Sequence, residues 1–317
     1  MKRRQFAALA AATFAVPAVL AQDRTLKILV GFPPGGSVDV IARLLADKLR
    51  VSLGQNVIVD NKPGAGGRVA LNEIKKAAPD GQTVVLSPSG ALVIQPWLFA
   101  NLGYDPVKDF TPIAMYARLP IVLVMPPSLP VRTIPELVAY AHANPGKLNY
   151  ASVSPGTTSH ILGEMLKLAT KTEIEHIPYK GGAPALTALL AGEVQLLFSS
   201  LLEAMPHIKA GKIRALGVAD ARRVNGLADV PTLGELGLDF NTPIWYGLFA
   251  PAGTPTPIVQ KIAADVLRIA AQDDMKQFLA AQGAEPAQLG PEPFRDLVVK
   301  EHAKYGAVVR DAGMKSE

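Results

Sequence analysis

Residues 26–49 read LKILVGFPPGGSVDVIARLLADKL and pass from an apolar run through a glycine-rich loop into a segment with helical periodicity. The run at 26–30 is typical of a buried strand, because it is short, apolar and rich in branched side chains. Beyond the loop, one helical face carries Val40, Ile41, Leu44, Leu45 and Leu49. A strand, a loop and a helix in this order predict an α/β fold with a mostly parallel sheet.

The same unit recurs along the rest of the chain. Further apolar runs predict strands at residues 57–59, 83–86, 121–125, 148–150, 194–198 and 213–218. Helical periodicity predicts helices near residues 135–143, 161–168 and 183–191, with two more after residue 257. The chain around these last helices contains too few predicted strands to form a separate sheet. We therefore expect the C-terminus to pack back on the first sheet.

That return predicts two lobes joined by two crossovers. We expect lobe 1 to comprise residues 22–119 and 247–317, and lobe 2 to comprise residues 120–246. The crossovers then lie near residues 119–120 and 246–247. Folds of this kind bind ligands in the cleft between their parts.

The composition excludes several classes of protein. With 317 residues, 49% of them hydrophobic and 19% charged, the chain can bury a sizeable core and is not intrinsically disordered. It contains no Cys, which excludes disulfide scaffolds, thiol catalysis and thiolate metal sites. The five His residues show no short metal-binding spacing, so we expect neither a metal site nor a cofactor.

The N-terminal residues 1–21 have the pattern of a secretory signal peptide. Three basic residues precede an apolar stretch that is too short for a membrane span, and Ala21 ends a small-residue cleavage motif. The Arg3-Arg4 pair leaves twin-arginine export open beside the general route. Cleavage lowers the formal net charge from +5 to +2, so we expect no nucleic-acid partner.

The loop at 31–39 is a candidate anion site. Its backbone N–H groups lie at a predicted helix N-terminus, where the helix dipole favours negative charge. No Lys follows the glycines, which excludes a P-loop, and Asp39 is better explained as a first-turn acid than as a ligand contact. Similar glycine- or serine-rich loops occur at 63–67, 87–90 and 152–159. Two such loops facing each other across a cleft would enclose a small carboxylate.

Two loops of the chain allow more than one interpretation. Residues 152–156 approach the G-x-S-x-G elbow of serine hydrolases, but Ser152 replaces the first glycine. Pro155 follows the would-be nucleophile Ser154 and has no N–H for an oxyanion hole. The stretch 179–182 is either a third anion loop or a simple helix entry.

The motifs, taken together, resemble the Bug family, the extracytoplasmic solute receptors of tripartite tricarboxylate transporters. The resemblance rests on FPPGG at 32–36, NKPGAGG at 61–67, NPGKLNYAS at 144–152, PYKG at 178–181, PHIKAGKIRAL at 206–216 and WYGLFAPAGTP at 245–255. Their order and spacing cover essentially the whole chain after the predicted signal peptide.

This resemblance implies a type II periplasmic binding protein of two α/β lobes with two crossover strands, closing on a ligand without catalysis. It implies a periplasmic location, a carboxylate held by backbone amides, hydroxyls and water, and Phe32 against the ligand body. The candidate ligand-binding residues are Phe32, Gly35, Gly36, Ser37, Asp39, Ser87, Ser89, Ser152, Ser154, Gly156, Thr157, Thr158, Tyr179 and Ser199.

One departure from the family bears on the ligand. Members often have Asp where this chain has Ser199, and that Asp is suited to a ligand ammonium group. A buried ammonium without a counter-charge is costly, so we expect a di- or tricarboxylate or an aromatic acid without an ammonium group. A monomer that delivers this ligand to membrane permease subunits is the expected function. A sensor that signals to a membrane partner, or an esterase-like serine hydrolase, is the alternative.

Overall fold

The computed structural model describes residues 25–311, 313 and 314. The predicted signal peptide, residues 1–21, lies outside the described residues. Within them, no helix combines the length and the apolar character needed to cross a membrane.

The described residues form eleven strands and ten helices. The strands are β1 (Thr25–Val30), β2 (Asn56–Asn61), β3 (Thr83–Pro88), β4 (Phe110–Leu119), β5 (Ile121–Met125), β6 (Asn149–Ser152), β7 (Glu175–Pro178), β8 (Leu196–Ser200), β9 (Arg214–Val218), β10 (Ile244–Pro251) and β11 (Glu285–Leu289). The helices are α1 (Ser37–Leu53), α2 (Arg68–Ile74), α3 (Gly90–Val93), α4 (Ile134–Ala143), α5 (Thr158–Thr170), α6 (Gly182–Ala191), α7 (Leu201–Lys209), α8 (Thr256–Ala270), α9 (Asp273–Ala281) and α10 (Pro291–Asp311).

The strands form two sheets. The first has the order β11-β4-β10-β3-β1-β2 and the second the order β7-β6-β8-β5-β9. The chain leaves the first sheet at Leu119 and enters the second at Ile121, and it returns between Val218 and Ile244. After this return, β10 and β11 both join the first sheet.

Most strands of each sheet run in one direction, four of six in the first sheet and four of five in the second. β1 pairs in parallel with β2 and β3, and β6 with β7 and β8. In contrast, β10 is antiparallel to both β3 and β4, and β5 is antiparallel to both β8 and β9. The strands that follow the two crossings enter their sheets in the opposite direction, so each sheet is mixed.

Helices cover both faces of each sheet. In the first, alternate β1 residues point to opposite sides: Ile28 packs in the cluster with α1 and α8, whereas Leu29 packs in the cluster with α2, α3 and α10. In the second, Leu123 faces α4 and α5, and Val124 faces α6 and α7. Each lobe is therefore a three-layer α/β/α unit, which leaves the loops at the strand ends free to form a site.

The loops after β1 and β2 meet backbone to backbone. A Cβ added at Gly31 would lie 2.5 Å from the Cα of Gly67, which itself has a φ of +98°. The Phe32 ring packs over the same position, since it lies 3.3 Å from where a Gly67 Cβ would stand. Glycine at 31 thus permits the contact that fixes the first loop on the second.

We expect Gly31→Ala to destabilise the protein by about 1–3 kcal/mol, because the added methyl group meets backbone that cannot rotate away. Urea denaturation of the variant measures this change. Gly234→Ala is the matched control, since its Cβ would meet nothing closer than Thr232 Oγ1 at 3.7 Å. Equal stability of the two variants would contradict the assignment.

Candidate ligand-binding site

A cavity lies where the loops of the two sheets face each other. It contains about 640 Å³ of space not filled by protein atoms, part of it open to solvent. Residues from the side of each sheet line the cavity. On the side of the first sheet they are Phe32, Pro33, Gly36, Ser37, Val38, Gly66, Pro88, Gly90, Ala91, Ile244 and Tyr246. On the side of the second sheet they are Ile121, Val153, Thr157, Thr158, Ser159, Gly181, Gly182, Ala183, Pro184, Phe198, Ser200 and Glu203. Most of these side chains are apolar.

Four long helices begin at this cavity. The first residues of α1, α5 and α6 line it, namely Ser37, Thr158 and Gly182, and Ser200 precedes the first residue of α7. The N-caps of α1 and α6 are glycines, and the Thr157 side chain at the N-cap of α5 accepts no hydrogen bond from its helix. First-turn N–H groups and helix dipoles therefore make the cavity favourable for an anion.

The two lobes are in contact at the rim of the cavity. A Cβ on Gly90 would lie 3.3 Å from the Cα of Thr157, and one on Gly66 would lie 3.1 Å from Ser154 Oγ. Gly181 also lies close to Pro33, since a Cβ at Gly181 would lie 2.9 Å from the proline Cδ. Glycine at these positions lets the lobes meet closely around the cavity.

Glu203 supplies the one ionisable carboxylate among the described residues that line the cavity. Its Oε1 accepts a hydrogen bond from the backbone N–H of Ser37 at 2.5 Å, which joins α7 of one lobe to α1 of the other. A Cβ on Gly182 would lie only 2.3 Å from its Oε2. Burial raises the pKa of Glu203, although hydrogen bonds from Ser37 and Ser200 act in the opposite direction.

Sequence reasoning missed Glu203. The sequence Ser200-Leu201-Leu202-Glu203 matches the S-x-x-E capping box, and Glu203 N–H does donate to Ser200 Oγ at 3.4 Å. That signal could have placed a helix start and an acidic side chain here. It could not have shown that the carboxylate reaches the other lobe.

Tyr246 is a second missed residue. Its hydroxyl lies 2.6 Å from Ser37 Oγ, and both side chains are buried. Burial, together with the charge of Glu203, raises the pKa of Tyr246, so the phenol stays neutral. The tyrosine thereby fixes the hydroxyl of Ser37 at the start of α1.

Five of the candidate residues line the cavity: Phe32, Gly36, Ser37, Thr157 and Thr158. Asp39 instead stabilises the first loop, because its carboxylate accepts from Gly35 N–H at 3.0 Å and pairs with Arg43. Burial by itself would raise the pKa of Asp39, but hydrogen bonds from Arg43, Gly35 and Asn61 lower it. The first-turn-acid interpretation fits this geometry.

The other candidates lie outside the cavity lining and hold their loops in shape. Ser152 Oγ lies 2.7 Å from His176 Nε2, and Ser199 Oγ donates to Ser200 O at 3.1 Å. Ser87 Oγ donates a hydrogen bond to Pro88 O, and Ser89 N–H donates one to Trp245 O. In the loop before α5, Gly156 N–H donates to His160 Nδ1, and Ser154 O accepts from Thr157 Oγ1. The Tyr179 hydroxyl faces Glu193. Their contact with a ligand stays a prediction.

The geometry gives no support to a serine nucleophile. Among the described residues, no hydrogen bond joins Ser154 Oγ to a histidine, and His160 Nδ1 accepts from Gly156 N–H. His176 pairs with Ser152, which is 0% exposed and out of reach of a substrate.

The chain is similar to known proteins over most of its length. Residues 41–314 match the family described as tripartite tricarboxylate transporter family receptor. The chain belongs to this family. Its members are substrate-binding receptors, so the chain is a solute-binding receptor and not an enzyme.

Three solved structures are similar to the receptor along nearly its whole length. The periplasmic binding protein BugD has a TM-score of 0.89 and 33% identity, covering 93% of this chain and 99% of its own. Rpa4515 of R. palustris with adipate has a TM-score of 0.91 and 34% identity, covering 94% and 100%. MatC from Rhodopseudomonas palustris with bound malate has a TM-score of 0.86 and 35% identity, covering 90% and 99%. The resemblance to the Bug family and the two-lobe fold are confirmed.

A stack of aromatic rings supports the 152–159 loop of the receptor from behind. The ring centroids of His160 and His176 lie 4.1 Å apart, and those of His176 and Tyr150 lie 4.8 Å apart. Burial lowers the pKa of both histidines to about 4, and at His176 the nearby His160 adds to this effect. The folded receptor therefore favours neutral imidazoles.

We expect the receptor to lose stability on acidification from pH 7 to pH 5, on the order of 2 kcal/mol for the pair after allowance for solvent screening. The folded pKa values lie below the ordinary 6.5, so the contribution is complete above pH 6.5 and is lost between 6.5 and about 4. Denaturant titrations at pH 7 and 5 measure it. An equal loss in the double variant His160→Gln, His176→Gln would rule the pair out as its source.

Proposed function

We propose that the receptor captures a small carboxylate in the periplasm and delivers it to the permease subunits of a tripartite transporter. The observation that carries this proposal is the convergence of four helix N-termini on one cavity. Among the described lining residues there is no Lys or Arg, so helix dipoles, N–H groups and hydroxyls are the groups available to bind an anion.

The proposed ligand is a di- or tricarboxylate or an aromatic acid without an ammonium group. The apolar walls, including Phe32, Ile121 and Phe198, suit an aliphatic or aromatic body. Similar proteins whose structures hold adipate and malate support this class. Glu203 does not change the proposal, because its carboxylate already bonds to Ser37 and burial favours its neutral form.

Phe32, Gly36, Ser37, Thr157 and Thr158 are the proposed direct contacts. The other candidates act through ordered water or by shaping the loops. The lobes, residues 22–119 with 247–317 and residues 120–246, close around the ligand and shift the equilibrium toward the closed form. We assign residues 1–21 as the signal peptide and the receptor as a monomer.

Delivery to a permease separates this function from that of a sensor. Labelled-carboxylate uptake by cells with and without the receptor distinguishes the two, since a sensor would leave uptake by existing permeases intact.

The charge of the ligand is testable with a panel of acids. We expect adipate, malate or benzoate to raise the melting temperature of the receptor, and aspartate and glutamate not to, because the one carboxylate among the described lining residues, Glu203, is already bonded to Ser37. Thermal-shift measurements over the panel decide this. Tight binding of the amino acids alone would overturn the proposed ligand class.

Thr158→Val tests the position of the site. The change preserves side-chain volume and backbone N–H but removes a hydroxyl that lies at the start of α5 and is 2% exposed. We expect a loss of about 1–3 kcal/mol, roughly 5- to 150-fold in Kd for the best acid of the panel, by isothermal titration calorimetry. Thr187→Val, an exposed threonine on α6, is the control and leaves the Kd unchanged. Equal Kd values in both variants would place the site elsewhere.

A further inference from the structure

The carboxylate of Glu203 occupies the anion position at the start of α1. It accepts the Ser37 N–H at 2.5 Å, and it is wedged against the start of α6, where a Gly182 Cβ would lie 2.3 Å from Oε2. A Cβ on Gly36 would lie 3.4 Å from Oε1. The receptor's own carboxylate therefore sits where two of the four helix N-termini converge.

A ligand carboxylate in the same cavity brings a second negative charge close to the first. Two carboxylates in one buried site do not both stay ionised when no cation lies between them, and one of them takes a proton. Within the described lining, no Lys, Arg or His separates them.

Few other groups that face Glu203 can titrate. α6 (GAPALTALLA), β8 (LLFSS) and β5 (IVLVM) contain no titratable side chain, and α1 brings Ser37 to it with Asp39 already paired to Arg43. Tyr246 on β10 is the remaining neighbour, and its phenol is neutral. On α7 itself, His207 follows one turn later. Among the described groups of the receptor that face this position, the Glu203 carboxylate is therefore the one that can take up the proton.

We infer that Glu203 couples carboxylate binding to the uptake of one proton, so that the receptor takes its ligand as an anion plus H⁺. This inference rests on the proposed function. The proton comes from solvent, forms the O–H bond of Glu203, and returns to solvent when the ligand leaves. Protonated Glu203 then donates its O–H to the ligand carboxylate instead of repelling it.

Burial of Glu203 already favours the protonated form. The affinity for a carboxylate should therefore fall as pH rises, by up to tenfold per pH unit once Glu203 is ionised in the free receptor. Glutamine at this position still accepts the Ser37 N–H and carries no charge. Glu203→Gln is thus expected to bind as well at pH 8.5 as at pH 6.5.

The experiment is calorimetric titration of the mature receptor with adipate, malate and benzoate between pH 6.5 and 8.5. The ligand carboxyl groups, with ordinary pKa values near 4, stay ionised throughout this window. Titrations in two buffers of different ionisation enthalpy give the number of protons taken up. We expect close to one proton at pH 8.5 for the wild type and none for Glu203→Gln, with at least tenfold tighter binding by the variant at that pH.

Glu173→Gln is the matched control, because Glu173 is exposed and lies between α5 and β7. It should retain the wild-type proton uptake. Binding by the wild type with no proton uptake and no pH slope would overturn the inference and leave the proposed function intact. Tenfold weaker binding by Glu203→Gln would overturn it as well, since it would show that Glu203 pairs with a ligand donor. No binding of any acid at any pH, by either form, would overturn the proposed function together with the inference.

Discussion

The positive ends of four helices point into one cavity, and the need to satisfy those N–H groups governs how the loops around it are built. Asp39 holds the loop before α1 by bonding to Gly35, and Tyr246 fixes the hydroxyl of Ser37. Glu203 reaches across from the other lobe to the Ser37 N–H. Asp39, Tyr246 and Glu203 all act at the start of α1, where the helix dipole is positive.

Local features of the fold could be predicted from the sequence, and long-range ones could not. The unit at 26–49 contains its own strand, loop and helix, and the structure places β1 and α1 there. β11, in contrast, contains Pro286 and is partly exposed, so its pairing with β4 leaves no apolar pattern to detect. The antiparallel entry of β10 was equally hidden, since strand direction depends on where the chain returns and not on its composition.

The same division holds at the site. The loops at 31–39 and 152–159, rich in glycine and in hydroxyl side chains, predict helix N-termini. Ser37, Thr157 and Thr158 could therefore be predicted from the sequence. Ser199 leaves one position of the chain without an acidic side chain, whereas Glu203, four residues later, brings a carboxylate into the cavity. Only the tertiary packing of α7 against α1 shows that Glu203 enters the cavity, because its partner Ser37 lies 166 residues away in the chain.

The glycines at the rim have a consequence for how tightly any ligand is held. At Gly90 the two lobes are in close contact, since a methyl group there would stand 3.3 Å from the Cα of Thr157. In the closure proposed above, the apparent affinity scales with the fraction of molecules that can adopt the closed form. A larger residue in place of such a glycine would lower that fraction and would raise the apparent Kd for any ligand. Substitutions of these glycines would therefore change the ligand affinity of the receptor through the contact between its lobes.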